Sequence, residues 1–467
     1  WSGTEHLKVL LLLIIMNYVF GWFKEKARFM LGIGVVLDLA VLIYYKYVYL
    51  ILDTVNRIFQ RELVLWDIIA PLGISFLVFQ SISYLLDLWN DKAEICRNFL
   101  DFALYLSFFP KLSQGPIVKY QDMEGQLKER KIEPDRFMRG IERFIIGLSK
   151  KVLIADILAQ TYSGIFLNMG MGMDAGTAWI ALLSYTFGLY IDFSGYSDMA
   201  IGMAAMMGFQ FKENFDFPYL STSISEFWRR WHISLGAWFR EYLYFPLGGS
   251  RKGNVYLNLF LVFLATGIWH GAGWVYLLWG AYHGLFVVIE RYIMIKDWYE
   301  KIPVMIRWGV TFLIVSVGWL AFNVSNADDL CLFLSYLVGM GVPVSLSCIL
   351  HDAQADYSLD CCDCGHSDTE QEKSTDMSGT LGQQFAGVQC DQICISFGMF
   401  VAVLYYICIG RVYALSVFSV LEEVGMRKIK ICFLVALCAA LALPLVAFNF
   451  EKDYASPIDN RMLTEWD

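Results

Sequence analysis

Long apolar runs recur along most of this chain, and they constrain its fold more than any single motif. They cover approximately residues 8–22, 29–51, 66–87, 98–118, 142–167, 176–208, 255–270, 273–294 and 303–323, then 330–350, 396–419 and 430–449. A helix crosses a bilayer with roughly 20 apolar residues, and in hydrocarbon every backbone N–H and C=O needs an internal partner. With 57% hydrophobic and 17% charged residues and a mean hydropathy of +0.50, the chain reads as an all-α, polytopic membrane protein. Some runs are too short or too broken for plain spans. The run 98–118 carries Pro110, Lys111 and Pro116, the pattern of a re-entrant or kinked segment covered by protein. About ten to twelve membrane segments are expected, re-entrant and interfacial helices among them.

The net charge of −9 comes mostly from acidic loops and the tail, so nucleic acid is not an expected partner. Basic residues cluster at Lys24, Lys26 and Arg28, at Lys128, Arg130, Lys131, Arg136 and Arg139, and at Arg251 with Lys252. Cytoplasmic loops collect such charge, which places the 120–140 segment in the cytoplasm. The same cluster could gather an anionic donor.

Three of the six histidines, His232, His270 and His283, fall in one mainly apolar stretch. A lone histidine on an apolar face is usually a packed, hydrogen-bonded core residue. In a membrane, ionisable groups are costly and mark pathways or reaction sites, so three together point to a buried polar site. Read as one helix at about 100° per residue, Ser225 to Tyr244 puts Glu226, Arg229, Arg230, Arg240 and Glu241 on one side. Trp228, Trp231, Leu235, Trp238, Phe239 and Tyr242 fall on the other, with His232 at the edge of the stripe. That predicts a helix lying on the membrane surface, its rings at headgroup depth. His270 ends an apolar run beside Gly267, Gly271 and Gly273, which leave room for a substrate or another backbone.

Asp192 and Asp198 in YIDFSGYSDMAIG are six residues apart, so a helix turns them to different faces rather than pairing them. Bonds to backbone groups, or to a histidine or arginine, are expected instead. No HExxH zinc site occurs, Ser194 in FSGYS lacks the first glycine of a nucleophile elbow, and GAG and LGG are too short for a nucleotide loop.

RRWHISLGAWFREYLYFPLGGSRKG and GIWHGAGWVYLLWGAYHG resemble the signature blocks of the membrane-bound O-acyltransferase family, in particular its bacterial alginate O-acetyltransferase membrane-subunit branch. PLGISFLVFQSISYLLDLW at 71–89, FFPKLSQGPIVKY at 108–120 and YIDFSGYSDMAIG at 190–202 agree, so five ordered blocks cover about residues 70–325. The resemblance implies one membrane domain over residues 1–450, multi-pass in a bacterial inner membrane, with its helices around a central catalytic chamber. It implies that His270, in WHG, is catalytic and that His232, in the RWH block, contributes. Trp231, Trp269, Gly271, Asp192, Asp198, Arg240 and His283 would line or support the chamber, Asp192, Asp198 and His283 in structural roles. An imidazole with an ordinary pKa of about 6.5 can take a hydroxyl proton at neutral pH. His270 is therefore expected as general base, with His232 orienting the reactants or supporting developing charge.

By the same resemblance the donor is acetyl-CoA or another acyl thioester, used as a substrate; no bound cofactor and no metal is expected. The acetyl group would pass from the cytoplasm through the protein to an exported polysaccharide, by way of an extracytoplasmic SGNH-type partner. Acyl transfer to teichoic acid or lipid from a carrier protein would keep the same histidines. A transporter would need a duplicated half, and no internal repeat is visible.

Two regions depart from the family pattern. Of the eleven cysteines, all but Cys96 follow residue 330. Residues 351–392 are polar and acidic where the family has a membrane helix, and Cys361, Cys362, Cys364 and His366 lack zinc-ribbon spacing. The stretch reads as the product of a local frameshift, with a disulfide-bearing extracytoplasmic loop as the other reading. Asn323 follows Phe322 where the family commonly has arginine. Another apolar helix is expected before Trp1, and 451–467 faintly resembles the opening of an SGNH-type region in an extracytoplasmic tail.

Overall fold

A computed structural model describes residues 4–64, 68–296, 298–324 and 327–341. Every regular element among them is helical: α1 (Thr4–Gly21), α2 (Phe29–Leu42), α3 (Val48–Phe59), α4 (Ile74–Trp89), α5 (Phe99–Ser107), α6 (Tyr120–Lys128), α7 (Pro134–Lys150), α8 (Asp156–Leu167), α9 (Ala175–Met206), α10 (Ile224–Arg230), α11 (Ile233–Phe239), α12 (Val255–His270), α13 (Trp274–Met294), α14 (Val304–Asn323) and α15 (Ala327–Leu337). Three described stretches, His6–Lys24, Phe29–Phe59 and Val304–Asn323, are long and apolar enough to cross a bilayer, and α4 and α12 are shorter apolar helices. Leu12, Val36, Ile58 and Val310 are exposed along these spans, as side chains facing lipid are. The runs expected at 396–419 and 430–449, most of 330–350, the cysteine-rich 351–392 and the tail 451–467 lie outside the described residues.

The described residues form two compact units, one up to Ala155 with Tyr185–Leu334 and the other from Asp156–Ser184 with those from Ser335 on. In the second, Asp174 caps the start of α9 through Thr177 N and Oγ1 at 3.0 and 2.9 Å. Trp179 Nε1 donates to Leu337 O at 3.2 Å.

The first unit carries His232, His270 and His283. Its core includes Leu31 of α2, Tyr84 and Leu85 of α4, and Phe102 and Tyr105 of α5. The broken run behaves as its prolines require: α5 stops at Ser107, and Pro110 enters a short turn, Phe109–Lys111. Lys111 is wholly buried there, donating to Gln80 Oε1 with its ammonium 4.0 Å from the Tyr105 ring centroid. Two helix pairs approach closely at glycines. A Cβ on Gly147 of α7 would lie 2.5 Å from Gly195 O of α9, and one on Gly267 of α12 would lie 2.4 Å from Tyr276 O of α13. Small residues permit such contact between apolar helices.

Candidate active site

The stretch expected to form one surface helix is broken in the middle. Ser223 caps α10 by accepting from Glu226 N at 3.0 Å, while Glu290 of α13 accepts from Ile224 N, Ser225 N and Ser225 Oγ at 2.6, 2.7 and 2.7 Å. A carboxylate there satisfies orphan N–H groups and complements the helix dipole. Trp231 is then extended, and His232 is left-handed at φ 46°, ψ 54°. A non-glycine residue in that region stores strain that its surroundings must offset. Asn214 does this. Its backbone carbonyl accepts from Ile233 N at 2.9 Å, and its Oδ1 from Ser234 N and Oγ at 3.1 and 2.8 Å. The first turn of α11 is thus capped from a distant loop, which a continuous helix would forbid.

The membrane-surface expectation for this stretch is also corrected. Trp231 and Trp238 are only 5% and 7% exposed, and Leu235, Phe239 and Tyr242 are buried too. Trp238 stacks on Phe79 at 3.7 Å between centroids and donates to its carbonyl at 3.1 Å. The aromatic stripe faces protein rather than headgroups.

His232 is buried, with Nδ1 3.2 Å from Asn214 Oδ1. Because Ser234 N–H can only donate, the amide atom it meets is the oxygen, and His232 Nδ1 must carry a proton. In a neutral ring Nε2 is then the lone-pair nitrogen.

His270 is the last residue of α12, whose start is capped by the Asn254 side chain. Its imidazole meets Trp269, Trp279 and Phe322 at centroid distances of 4.9, 5.1 and 5.1 Å. Among the described residues its ring nitrogens bond no protein group. The carbonyls ending α12 are satisfied from the turn Ile43–Tyr47, a π-helical widening of the Phe29–Phe59 span. Tyr47 OH donates to Ile268 O at 2.6 Å, and Lys46 Nζ to Trp269 O, to His270 O at 3.2 Å and to Ser75 Oγ at 3.1 Å.

Indoles link the three histidines. Trp269 is 6.5 Å from His232 and 4.9 Å from His270 between centroids, and Trp279 is 5.1 Å from His270 and 4.9 Å from His283. His283 is wholly buried, and among the described residues neither of its nitrogens has a partner; nor has Nε1 of Trp228, Trp269 or Trp279. Unpaired buried polar atoms are uncommon and cost about 1–3 kcal/mol each, so their concentration here marks this cluster as unlike an ordinary core.

The remaining expected residues separate. A Cβ on Gly271 would lie 2.1 Å from the Tyr276 ring, so the space beside this glycine and Gly267 is taken by Tyr276 and α13. Trp231 packs on Trp319 at 4.7 Å, and Arg240 opens the turn Arg240–Tyr244. Asp198 accepts from Arg143 Nε and Nη2 at 3.0 and 2.8 Å and from Lys150 at 2.7 Å, while Asp192 pairs with Lys151 at 2.8 Å. Both carboxylates tie α9 to the cations of 143–151, the arginine bond as expected and no histidine reached. Asn214, Lys46 and Phe322 were not singled out from sequence. Lys46 alone left a signal, a cation inside a long apolar run.

Residues 29–326, which include all three histidines, match the model of the membrane-bound O-acyltransferase family. The chain belongs to that family. It is 46% identical over 303 residues to the probable alginate O-acetylase AlgI of Pseudomonas putida, covering 64% of this chain and 61% of that protein. It is 36% identical over 344 residues to the peptidoglycan O-acetyltransferase of Helicobacter pylori, covering 67% and 65%. It is 28% identical over 287 residues to the teichoic acid D-alanyltransferase of Bacillus subtilis, covering 55% and 69%. The matched stretch thus spans somewhat under two thirds of the first two relatives.

Proposed function

We propose that this protein is a membrane O-acyltransferase that moves an acetyl group from a cytoplasmic thioester, acetyl-CoA or a similar donor, toward an exported polysaccharide, with His270 as general base. The observation that carries the reading is the setting of His270: a helix-terminal imidazole packed by three aromatic rings, its nitrogens uncommitted among the described residues, with a second histidine of fixed tautomer across the Trp269 indole. Such a base can take the proton of an acceptor hydroxyl while apolar rings keep water away. His232 Nε2 would accept a hydrogen bond from a reactant and orient it. In this reading the enzyme is multi-pass in the bacterial inner membrane. The 120–140 segment faces the cytoplasm, where Arg136 and Arg139 rim a cleft of about 220 Å³ that could gather an anionic donor. An SGNH-type partner outside would complete delivery to the polysaccharide. The higher identity to alginate and peptidoglycan acetylating relatives favours polysaccharide over teichoic acid or lipid as acceptor, and the family match sets the transporter reading aside.

The test is transfer of labelled acetyl from a thioester to polysaccharide in membranes carrying the full chain. His270→Ala should insert normally and lose on the order of 10²–10⁴-fold in rate, the usual cost of a missing general base. Wild-type transfer by that variant would put the base elsewhere.

A further inference from the structure

We infer that Lys46 is a positioning residue for His270, holding the end of α12 in its reactive geometry. The inference rests on the general-base reading above. An α-helix leaves its last four carbonyls without intrahelical donors, and in an apolar setting each needs a partner. At the end of α12 three of them, Ile268 O, Trp269 O and His270 O, are taken by Tyr47 and Lys46. A cation is also the charge that the negative end of a helix dipole favours.

The donor is built for this place. Lys46 sits in a five-residue π-helical turn inside an apolar span, and such turns cluster at functional sites. Its amine also bonds Ser75 at the start of α4 and lies 5.6 Å from the Trp269 ring centroid. One ammonium thus joins α4, the widened turn and the WHG segment. Lysine inside a membrane span is costly and rare without a function. A structural clamp alone could use a hydroxyl, as Tyr47 does beside it.

The experiment compares Lys46→Met, which keeps the apolar stem and removes the donors, with Lys46→Arg, which keeps charge and donors. Lys46→Met should insert, melt somewhat below wild type because Trp269 O and His270 O lose their donor, and keep its KM for the acyl thioester per folded molecule. Its kcat should fall on the order of 100-fold, the loss expected when a reacting group shifts by about 1 Å. Lys46→Arg should recover at least a tenth of wild-type kcat. A kcat for Lys46→Met equal to wild type overturns the inference. So does equal impairment of both variants together with reduced folded yield, which is the behaviour of a purely structural clamp. A second readout does not depend on transfer: peptide-mapped carbethoxylation of His270 by diethylpyrocarbonate should change rate in Lys46→Met. If His270→Ala retains activity the base assignment fails, and an unchanged carbethoxylation rate then overturns the Lys46 inference separately.

Discussion

His232 and His270 share the indole of Trp269 as a neighbour, yet they are held in opposite ways. His232 is gripped by side-chain chemistry: a strained backbone, one committed ring nitrogen and an amide that serves three donors. His270 is held through its backbone, by donors to the carbonyls around it, and its ring packs on the rings of Trp269, Trp279 and Phe322. A bond at one ring nitrogen survives when the other nitrogen takes a proton, whereas a backbone-held imidazole leaves both nitrogens to the reactants. A group that orients a reactant gains from a fixed tautomer. Under the proposed function the backbone-held His270 is the base and the tautomer-fixed His232 orients a reactant.

The largest effect should come from breaking the packing around His232. Trp231→Ser and Trp238→Ser each remove a buried indole, and truncating a buried tryptophan costs about 3–5 kcal/mol. The double variant should lose most of its folded yield, read as a lowered melting temperature in detergent. An unchanged melt with weaker membrane association would restore the surface-helix reading of 225–244.

A smaller loss is expected from the grip itself. Asn214→Ala leaves Ser234 N–H and His232 Nδ1 without their acceptor, costing about 1–3 kcal/mol of stability. Transfer should fall by more than the lost folded fraction accounts for, since the left-handed turn at His232 relaxes. Activity per folded molecule equal to wild type would show that the tautomer of His232 does not matter. The same variant should leave the carbethoxylation rate of His270 unchanged, because nothing it removes touches α12.

Much of α12 and its neighbours could be read from residues alone. Its apolar run is bounded by Asn254 and Gly271, and the helix covers Val255–His270. The break at Trp231–His232 could not be read. Local periodicity through RRWHISLGAW is helical, and what interrupts it is an amide 18 residues away in sequence from His232. Lys46 was visible as a charge in an apolar run, but its carbonyl partners lie more than 220 residues away. The glycines around His270 were legible as places of close approach, and the structure decides for another helix and a tyrosine ring. In each case local pattern located the group, and a tertiary partner determined what it does.

The least perturbing change should be His283→Phe, and it sharpens the contrast by adding a histidine expected in neither role. His283 packs edge-on against Trp228 and Trp279, both 4.9 Å away between centroids. Its two nitrogens have no partner among the described residues, so an apolar ring forfeits no hydrogen bond to them. Replacing unpaired buried polar atoms by apolar ones of similar shape can be neutral or stabilising, against which stands the bulk of phenylalanine. A Cβ on Gly318 would already lie 2.3 Å from His283 Nε2, so the neighbouring backbone is close. Volume-conserving swaps usually cost less than about 1.5 kcal/mol, and the net change in melting should fall within that limit. Transfer should stay within about threefold of wild type, while His270→Phe in the same assay should be inactive. A large loss of kcat in His283→Phe with an unchanged melt would mean that its unpaired nitrogens are used in turnover. The line of indoles and imidazoles from His232 to His283 would then be one reaction path, with His270 in its middle.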